Sequence, residues 1–199
     1  MQKAHRLNAL RAMRFVAYRT LRRLKNISKV ADNMNEVTHF SDSGRARMVD
    51  VSAKSDTKRI AIASGVLRMQ MSTLELIRAG KVAKGDVLTV ADVGAVMAAK
   101  RTPDIIPMCH SIALTGVSVD FTEVLKPDHD GCVGIKVTTT VSCTGQTGVE
   151  MEALTAASVA LLTIYDMCKS VDRGMRMTSV QLEEKQGGKS GVWQRGISK

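Results

Sequence analysis

Apolar and polar positions recur along the chain with two different periods, and the changes of period mark its elements. Ala46–Val51 (ARMVDV) predicts a short strand and Arg59–Met69 a longer one. In Ser72–Ala79 (STLELIRA) a serine precedes Glu75 by three residues and Gly80 follows, so a helix with a capping box is expected there. A turn at Lys84-Gly85-Asp86 leads into Val87–Arg101, whose Ala and Met content favours a second helix that Pro103 and Pro107 should end. Leu114–Phe121 reads as a strand, Asp128-His129-Asp130-Gly131 as a turn, and Cys132–Cys143 as a β-branched strand pairing back on the first. Gly148–Lys169 is the longest helix, Met175–Glu184 a last strand, and the residues from Gln186 onward a loose tail. Strands in pairs with long helices between them predict an α+β two-layer domain: an antiparallel sheet with helices packed on one face.

The long helix, GVEMEALTAASVALLTIYDMCK, poses the main question. Its middle, Ala153 to Tyr165, is thirteen residues without a charge, yet Glu150 and Glu152 open it and Asp166 and Lys169 close it. Thirteen uncharged residues suit a buried core helix better than a membrane span, which needs about 20. Glu152 and Asp166 are fourteen residues apart, which places them on nearly the same face but about 21 Å apart along the axis. Three arrangements are consistent with that. The helix begins after Glu152, or its ends belong to different sites, or two chains each contribute one end to a shared site. The glutamates also suit a helix N-terminus and Lys169 a C-terminus, but Asp166 near the C-terminus is unfavourable by about 0.3–1 kcal/mol. Asp166 and Lys169, at i and i+3, are neighbours.

Charge changes the picture at the N-terminus. The chain carries a net +10, and residues 1–31 hold nine Lys or Arg and no acid, so the remainder is left at only +1. An Arg-rich, acid-free, amphipathic segment has the composition of a mitochondrial presequence. We therefore divide the chain into a basic extension, 1–35, a domain, 36–195, and a tail, 196–199. The expected location is the mitochondrial matrix, or the cytoplasm if the start site is misassigned. A nucleic-acid-binding arm is the competing class, but the nearly neutral body and 3% aromatic content offer no stacking platform. The four cysteines form no CxxC pair, which favours reduced thiols.

Three further constellations could carry chemistry. Cys109-His110, after Pro107, falls short of the four ligands a zinc site needs; a Cys-His nucleophile, a loop histidine and a substrate-contacting histidine all remain open. GGKSG (187–191) lacks the first glycine of a phosphate loop, since Glu183 stands there, and no helix follows it. It remains a glycine-rich lid with Lys185 and Lys189 beside it. Lys54, Lys58, Arg59 and Lys84 are scattered cations that, with Lys169 and Lys185, could cradle a polyphosphate.

MVDVSAK (48–54), KGDVL (84–88), AAKRTPDIIPMCH (98–110), TGVEMEALTAASVALLTIYDMCK (147–169) and GGKSG together resemble the cyclic pyranopterin monophosphate synthase (MoaC) family. The resemblance covers residues 36–195. It implies a ferredoxin-like fold, a homohexamer built as a trimer of dimers, and active sites where two subunits meet. It also implies a lyase of molybdenum cofactor biosynthesis that converts 3′,8-cyclo-7,8-dihydro-GTP into cyclic pyranopterin monophosphate and expels pyrophosphate. No cofactor, metal ligand, nucleic acid or membrane span is expected. Residue by residue, the catalytic pair falls on Asp166 and Lys169. Substrate-binding positions fall on Met108, Cys109, His110, Glu150, Met151 and Glu152, and the accompanying cations on Lys54, Arg59, Lys84 and Lys185. Met108 stands where the family often has Leu. A lysine among other cations is expected to have a lowered pKa and to act as a base near neutrality.

Overall fold

The computed structural model describes residues 48–197. The fold is carried by the unit that begins at Asp50. The basic extension expected over 1–35, and residues 36–47 of the expected domain, lie outside the described residues.

Strand β1 (Thr57–Met69) leads into α1 (Met71–Arg78), α2 (Val87–Lys100) and the single turn α3 (Thr102–Ile105). Strands β2 (Leu114–Val124) and β3 (Val133–Gly145) form a hairpin, followed by α4 (Glu150–Cys168), β4 (Arg176–Gln186) and the short β5 (Trp193–Gln194). The sheet order is β2-β3-β1-β4-β5, with every pairing antiparallel. Two βαβ-type halves interleaved in this way make the α+β, ferredoxin-like arrangement, with α2 and α4 side by side on one face.

Alternation on β1 and β3 explains that face. Ala61, Ala63, Leu67 and Met69 of β1, with Ile135, Val137, Val141 and Cys143 of β3, point to the helices and are buried. Against them lie Ala153, Ala156, Ala157, Ala160, Leu161 and Ile164 of α4 and Ala91, Ala95 and Ala99 of α2. Alanine-lined helices can come close to a sheet; Gly65 brings α4 closer to it, and Gly94 brings α2 closer to α4. A Cβ on Gly65 of β1 would stand 2.7 Å from Leu161 Cδ1, and one on Gly94 of α2 would stand 3.0 Å from Thr163 Oγ1. The buried Thr139 donates its hydroxyl to the Ala153 carbonyl at 2.8 Å, tying β3 to the first turn of α4. By length and composition α4 could cross a membrane, but half of that window is buried inside the domain. It is the core helix of the domain.

Several expected boundaries are corrected. Met48–Val51 is not a strand, because Asp50 Oδ1 accepts from both the amide and the hydroxyl of Ser52 and turns the backbone instead; residues 46–47 lie outside the described residues. The α1 capping box does not form. The N-cap is Gln70, without a side-chain bond of its own, and Asp172 from beyond α4 serves instead. Its Oδ2 accepts from Gln70 N at 2.9 Å and Thr73 Oγ1 at 3.1 Å. α2 does end at Lys100, just before Pro103, as expected; Pro103 then sits in the first turn of the separate α3, where its missing N–H costs nothing. In the tail, Trp193–Gln194 pairs with β4, and Arg195 Nε donates to the Leu182 carbonyl at 2.8 Å.

Replacing Asp172 with alanine leaves two donors at the start of α1 without an acceptor. The expected loss is about 1–3 kcal/mol in stability, read as a lower denaturant midpoint. Ser72→Ala should leave the midpoint unchanged, and the reverse ranking would restore the capping box.

Candidate active site

The expected site residues fall into three groups. The first lines a cavity of about 690 Å³ between the start of β1, the turn before α4 and the end of β4. Lys54, Arg59, Glu150, Lys185 and Lys189 all reach it. Arg59 is fixed there, its Nε donating to the Gly145 carbonyl at 3.2 Å and Nη2 to the Gln146 carbonyl at 3.1 Å. Gly187 and Gly188 have φ of 96° and 72°, a left-handed conformation that glycine adopts without strain. They also pass so close to Lys58 and Arg59 that neither could carry a side chain: a Cβ on Gly187 would collide with the Lys58 carbonyl, and one on Gly188 with the Arg59 guanidinium. The GGKSG segment is thus a turn wrapped around an arginine. Lys185 is anchored in turn by a hydrogen bond to the Ser190 hydroxyl. Gln146, Thr147, Gly148 and Ser190 line the same cavity and were not anticipated. At Gly148 a Cβ would strike the Glu150 carboxylate, which folds back over it.

The second group sits behind the first. Glu150 and Glu152 are two residues apart, so they project about 200° from one another around the helix. Glu150 faces the cavity, and Glu152 turns inward and is 2% exposed. The Cys109 thiol donates to Glu152 Oε1 at 3.3 Å, while Oε2 has no partner. Burial is the main cause that raises the Glu152 carboxyl above its usual range, with His110 nearby opposing it. Burial, then the Glu152 hydrogen bond, pushes the Cys109 thiol up to about 12. A protonated thiol is a poor nucleophile, so of the open readings for Cys109-His110 the Cys-His nucleophile is disfavoured. Met108 and Met151 flank this group and are exposed.

The third group lies at the other end of α4. Asp166 Oδ2 meets Lys84 Nζ at 2.6 Å, and Oδ1 meets Lys169 Nζ at 2.6 Å. Lys84 also donates to the Asp166 backbone carbonyl at 2.9 Å, satisfying an orphan of the helix terminus. Hydrogen bonds from Lys169 and then Lys84 hold the Asp166 carboxyl down to about 2. Two ammonium groups thus compensate the acidic residue at an unfavourable helix end. The expected base role of Lys169 is corrected here. The Asp166 hydrogen bond raises the Lys169 pKa, so the amine stays protonated rather than poised as a base.

Because α4 begins at Glu150, Glu152 is already helical and the first of the three arrangements is excluded. One chain does not bring Glu152 and Asp166 together. Among the described residues, the one grouping close enough to share a metal is Asp128, His129 and Asp130 in the β2–β3 turn. There Arg176 pairs with both carboxylates, and Asp128 Oδ1 is taken by the amides of Asp130 and Cys132.

The MoaC family model matches residues 48–188, which includes all three groups apart from Lys189 and Ser190. The chain belongs to the MoaC family. Three bacterial relatives, each named cyclic pyranopterin monophosphate synthase, agree with this. The protein of Novosphingobium aromaticivorans is 55% identical over 160 residues, covering 80% of this chain and 98% of the relative. That of Desulfitobacterium hafniense is 57% identical over 156 residues, covering 78% and 92%. That of Rhodospirillum rubrum is 55% identical over 157 residues, covering 79% and 92%. This MoaC family member is therefore an enzyme, and its family's place is in molybdenum cofactor biosynthesis.

The triad makes a pH prediction. The folded Asp166 pKa lies below its ordinary value, so the triad's contribution is complete above about pH 4 and is lost as pH falls toward 2. Carbon-detected NMR titration of the Asp166 carboxyl should give a midpoint near 2 in the free enzyme. Lys84→Ala and Lys169→Ala should each raise it, and an unshifted midpoint in both variants would break the triad.

Proposed function

We propose that this enzyme converts 3′,8-cyclo-7,8-dihydro-GTP into cyclic pyranopterin monophosphate with release of pyrophosphate. The observation that carries the reading is the cavity with Lys54, Arg59, Lys185 and Lys189 on its walls, in a family whose relatives bear the synthase name. Four cations suit a triphosphate, and Arg59, held by backbone carbonyls, offers a fixed fork for phosphate oxygens. In the phosphorus step a substrate hydroxyl attacks the α-phosphorus. The bond to the bridging oxygen breaks, and its electron pair leaves with pyrophosphate, whose charge the cations stabilise.

The ring rearrangement needs proton transfers, assigned here to Asp166 and Lys169. With Asp166 held near 2 and Lys169 raised, Lys169 is the proton donor of the resting site. Asp166 becomes a competent base only when a lysine is drawn away toward the ligand. Met108, Cys109, His110, Met151 and Glu152 contact the organic part of the substrate, and no metal or cofactor is invoked. The two ends of α4 serve one pocket by belonging to two chains of a homohexamer, a trimer of dimers.

A single assay tests this. The full chain, incubated with the cyclised GTP intermediate, should yield the pterin product and stoichiometric pyrophosphate. Asp166→Asn and Lys169→Ala should each lower turnover at least about a hundredfold with the fold intact. Mixing inactive Glu152→Ala with inactive Asp166→Asn subunits under exchange should restore part of the activity, since one pocket then escapes both lesions. Normal turnover in the single variants removes the catalytic assignment. Silence after proven exchange removes the shared pocket.

We also propose that residues 1–35 are a mitochondrial presequence and that the mature enzyme works in the matrix. The supports are a basic composition that is free of acid through residue 31 and the start of the family match at residue 48. Deleting 1–35 should abolish organelle import and leave turnover in vitro unchanged, and lost turnover would return the segment to the catalytic unit.

A further inference from the structure

Strand β4 ends at Gln186 and β5 begins at Trp193, so residues 187–192 are the turn of a hairpin. That turn builds one side of the cationic cavity. Gly187 and Gly188 wrap Arg59, Ser190 bonds Lys185, and Lys189 reaches the cavity itself. Its shape depends on how firmly its outgoing leg is held. The leg is β5, only two residues long, pairing Trp193 with Lys185 and Gln194 with Glu184. Strands usually run about 3–10 residues, and two pairs alone would fray.

Arg195 extends the hold. Its amide donates to the Glu183 carbonyl at 2.9 Å and its Nε to the Leu182 carbonyl at 2.8 Å. Successive carbonyls of a regular strand point to opposite edges, so one residue does not ordinarily take both. Here Ile62 pairs with Glu184 and Ala63 with Leu182, which makes Glu183 the extra residue of a β-bulge. The Glu183 Oε1 accepts from the Ser64 hydroxyl and, at 3.0 Å, from Gln181 Nε2. Its Oε2 lies 3.6 Å from Arg195 Nε. Ser64 is 3% exposed and belongs to the central strand β1, so the contacts run from the middle of the sheet out to Arg195. The guanidinium also lies 5.8 Å from the centroid of the Trp193 ring, within reach of a cation–π contact. Residues 193–195 do not line the cavity, and they lie beyond residue 188, where the family match ends.

We propose that Arg195 is a positioning residue for the anion cavity. It clips the outgoing leg of the GGKSG turn to the bulge in β4, and so holds Lys185, Lys189 and Arg59 in one arrangement without touching the ligand. Its influence runs through the turn. Lys189, on the turn, depends on it, whereas Lys54, on the wall that precedes β1, does not. The proposal rests on the reading of this cavity as the site of the substrate's triphosphate. By reciprocity, an anion that binds the clipped form more tightly must also stabilise the clip. Trp193 is the single tryptophan of the chain and sits in the clip, so its fluorescence follows that form.

The test uses the full chain and inorganic pyrophosphate, titrated by calorimetry. Arg195→Ala should weaken pyrophosphate binding about tenfold, the loss of one or two charge-assisted contacts felt at a distance. With the cyclised GTP intermediate it should raise KM about tenfold and leave kcat within about twofold, because Asp166 and Lys169 stand at the other end of α4. The factor should shrink when Lys189→Ala is already present and persist in full beside Lys54→Ala, since only residues acting through one another depart from additivity. A general loss of stability would multiply with both. Pyrophosphate bound equally by parent and Arg195→Ala overturns the clip and leaves the triphosphate reading standing, and so does an undiminished factor in the Lys189→Ala background. Should Arg195→Ala not fold, the parent chain decides. Saturation with pyrophosphate must lower acrylamide quenching of Trp193, and unchanged quenching beside proven binding overturns the proposal. In a parent chain that binds no pyrophosphate, tryptic cleavage after Lys189 accelerated about tenfold by Arg195→Ala would uphold the clip and refute the triphosphate reading; equal cleavage there would overturn both.

Discussion

The close approach of α4 to the sheet is the constraint on which everything else in this domain depends. It requires alanine along one side of the helix and no side chain at Gly65, where a methyl group would stand 2.7 Å from Leu161. Thr139 then bonds the Ala153 carbonyl across the gap, and the first turn of α4 is held against β3. With that turn in place, Glu150 faces the cationic cavity and Glu152 enters the interior. The far end lies beside the turn before α2, and so Lys84 reaches Asp166.

Environment assigns carboxyl groups on one helix to different states. Glu152 is buried with one oxygen unpartnered, and its ionised form is disfavoured. Asp166 is exposed between two ammonium groups and its ionised form is favoured. Titratable groups whose surroundings push them apart are a familiar signature of acid–base sites. Here the separation comes from burial at one end and from charge at the other. Cys109 belongs to the Glu152 side, since the carboxyl it bonds is the second reason its proton is hard to remove.

Much of the fold was legible because it rests on local pattern. Alternation in β1 and β3, the turn at Asp128–Gly131 and the uncharged α4 are all read from neighbours in sequence. What was not legible depends on partners far along the chain. Nothing near Ser72 indicates that Asp172, a hundred residues later, caps α1. Nothing in Lys169 alone shows that Asp166 raises its pKa, although their spacing of three showed that they meet. The cations Lys54, Arg59 and Lys185 could be named from the sequence and the resemblance, but their convergence on one cavity is a product of β1 and β4 being adjacent strands. Gln146 to Gly148 carry no distinctive chemistry and become visible only as walls.

Gly188 has no side chain to offer a ligand, yet any larger residue there would displace the Arg59 guanidinium. Two carbonyl acceptors and this bare backbone hold the arginine in a single orientation before any ligand arrives. Its rotamer entropy is therefore surrendered once, during folding, and not again at each encounter with an anion. On the proposed reading, Arg59 is a rigid template for the first phosphate oxygen to dock, and the longer lysines around it would adapt to the geometry that contact sets.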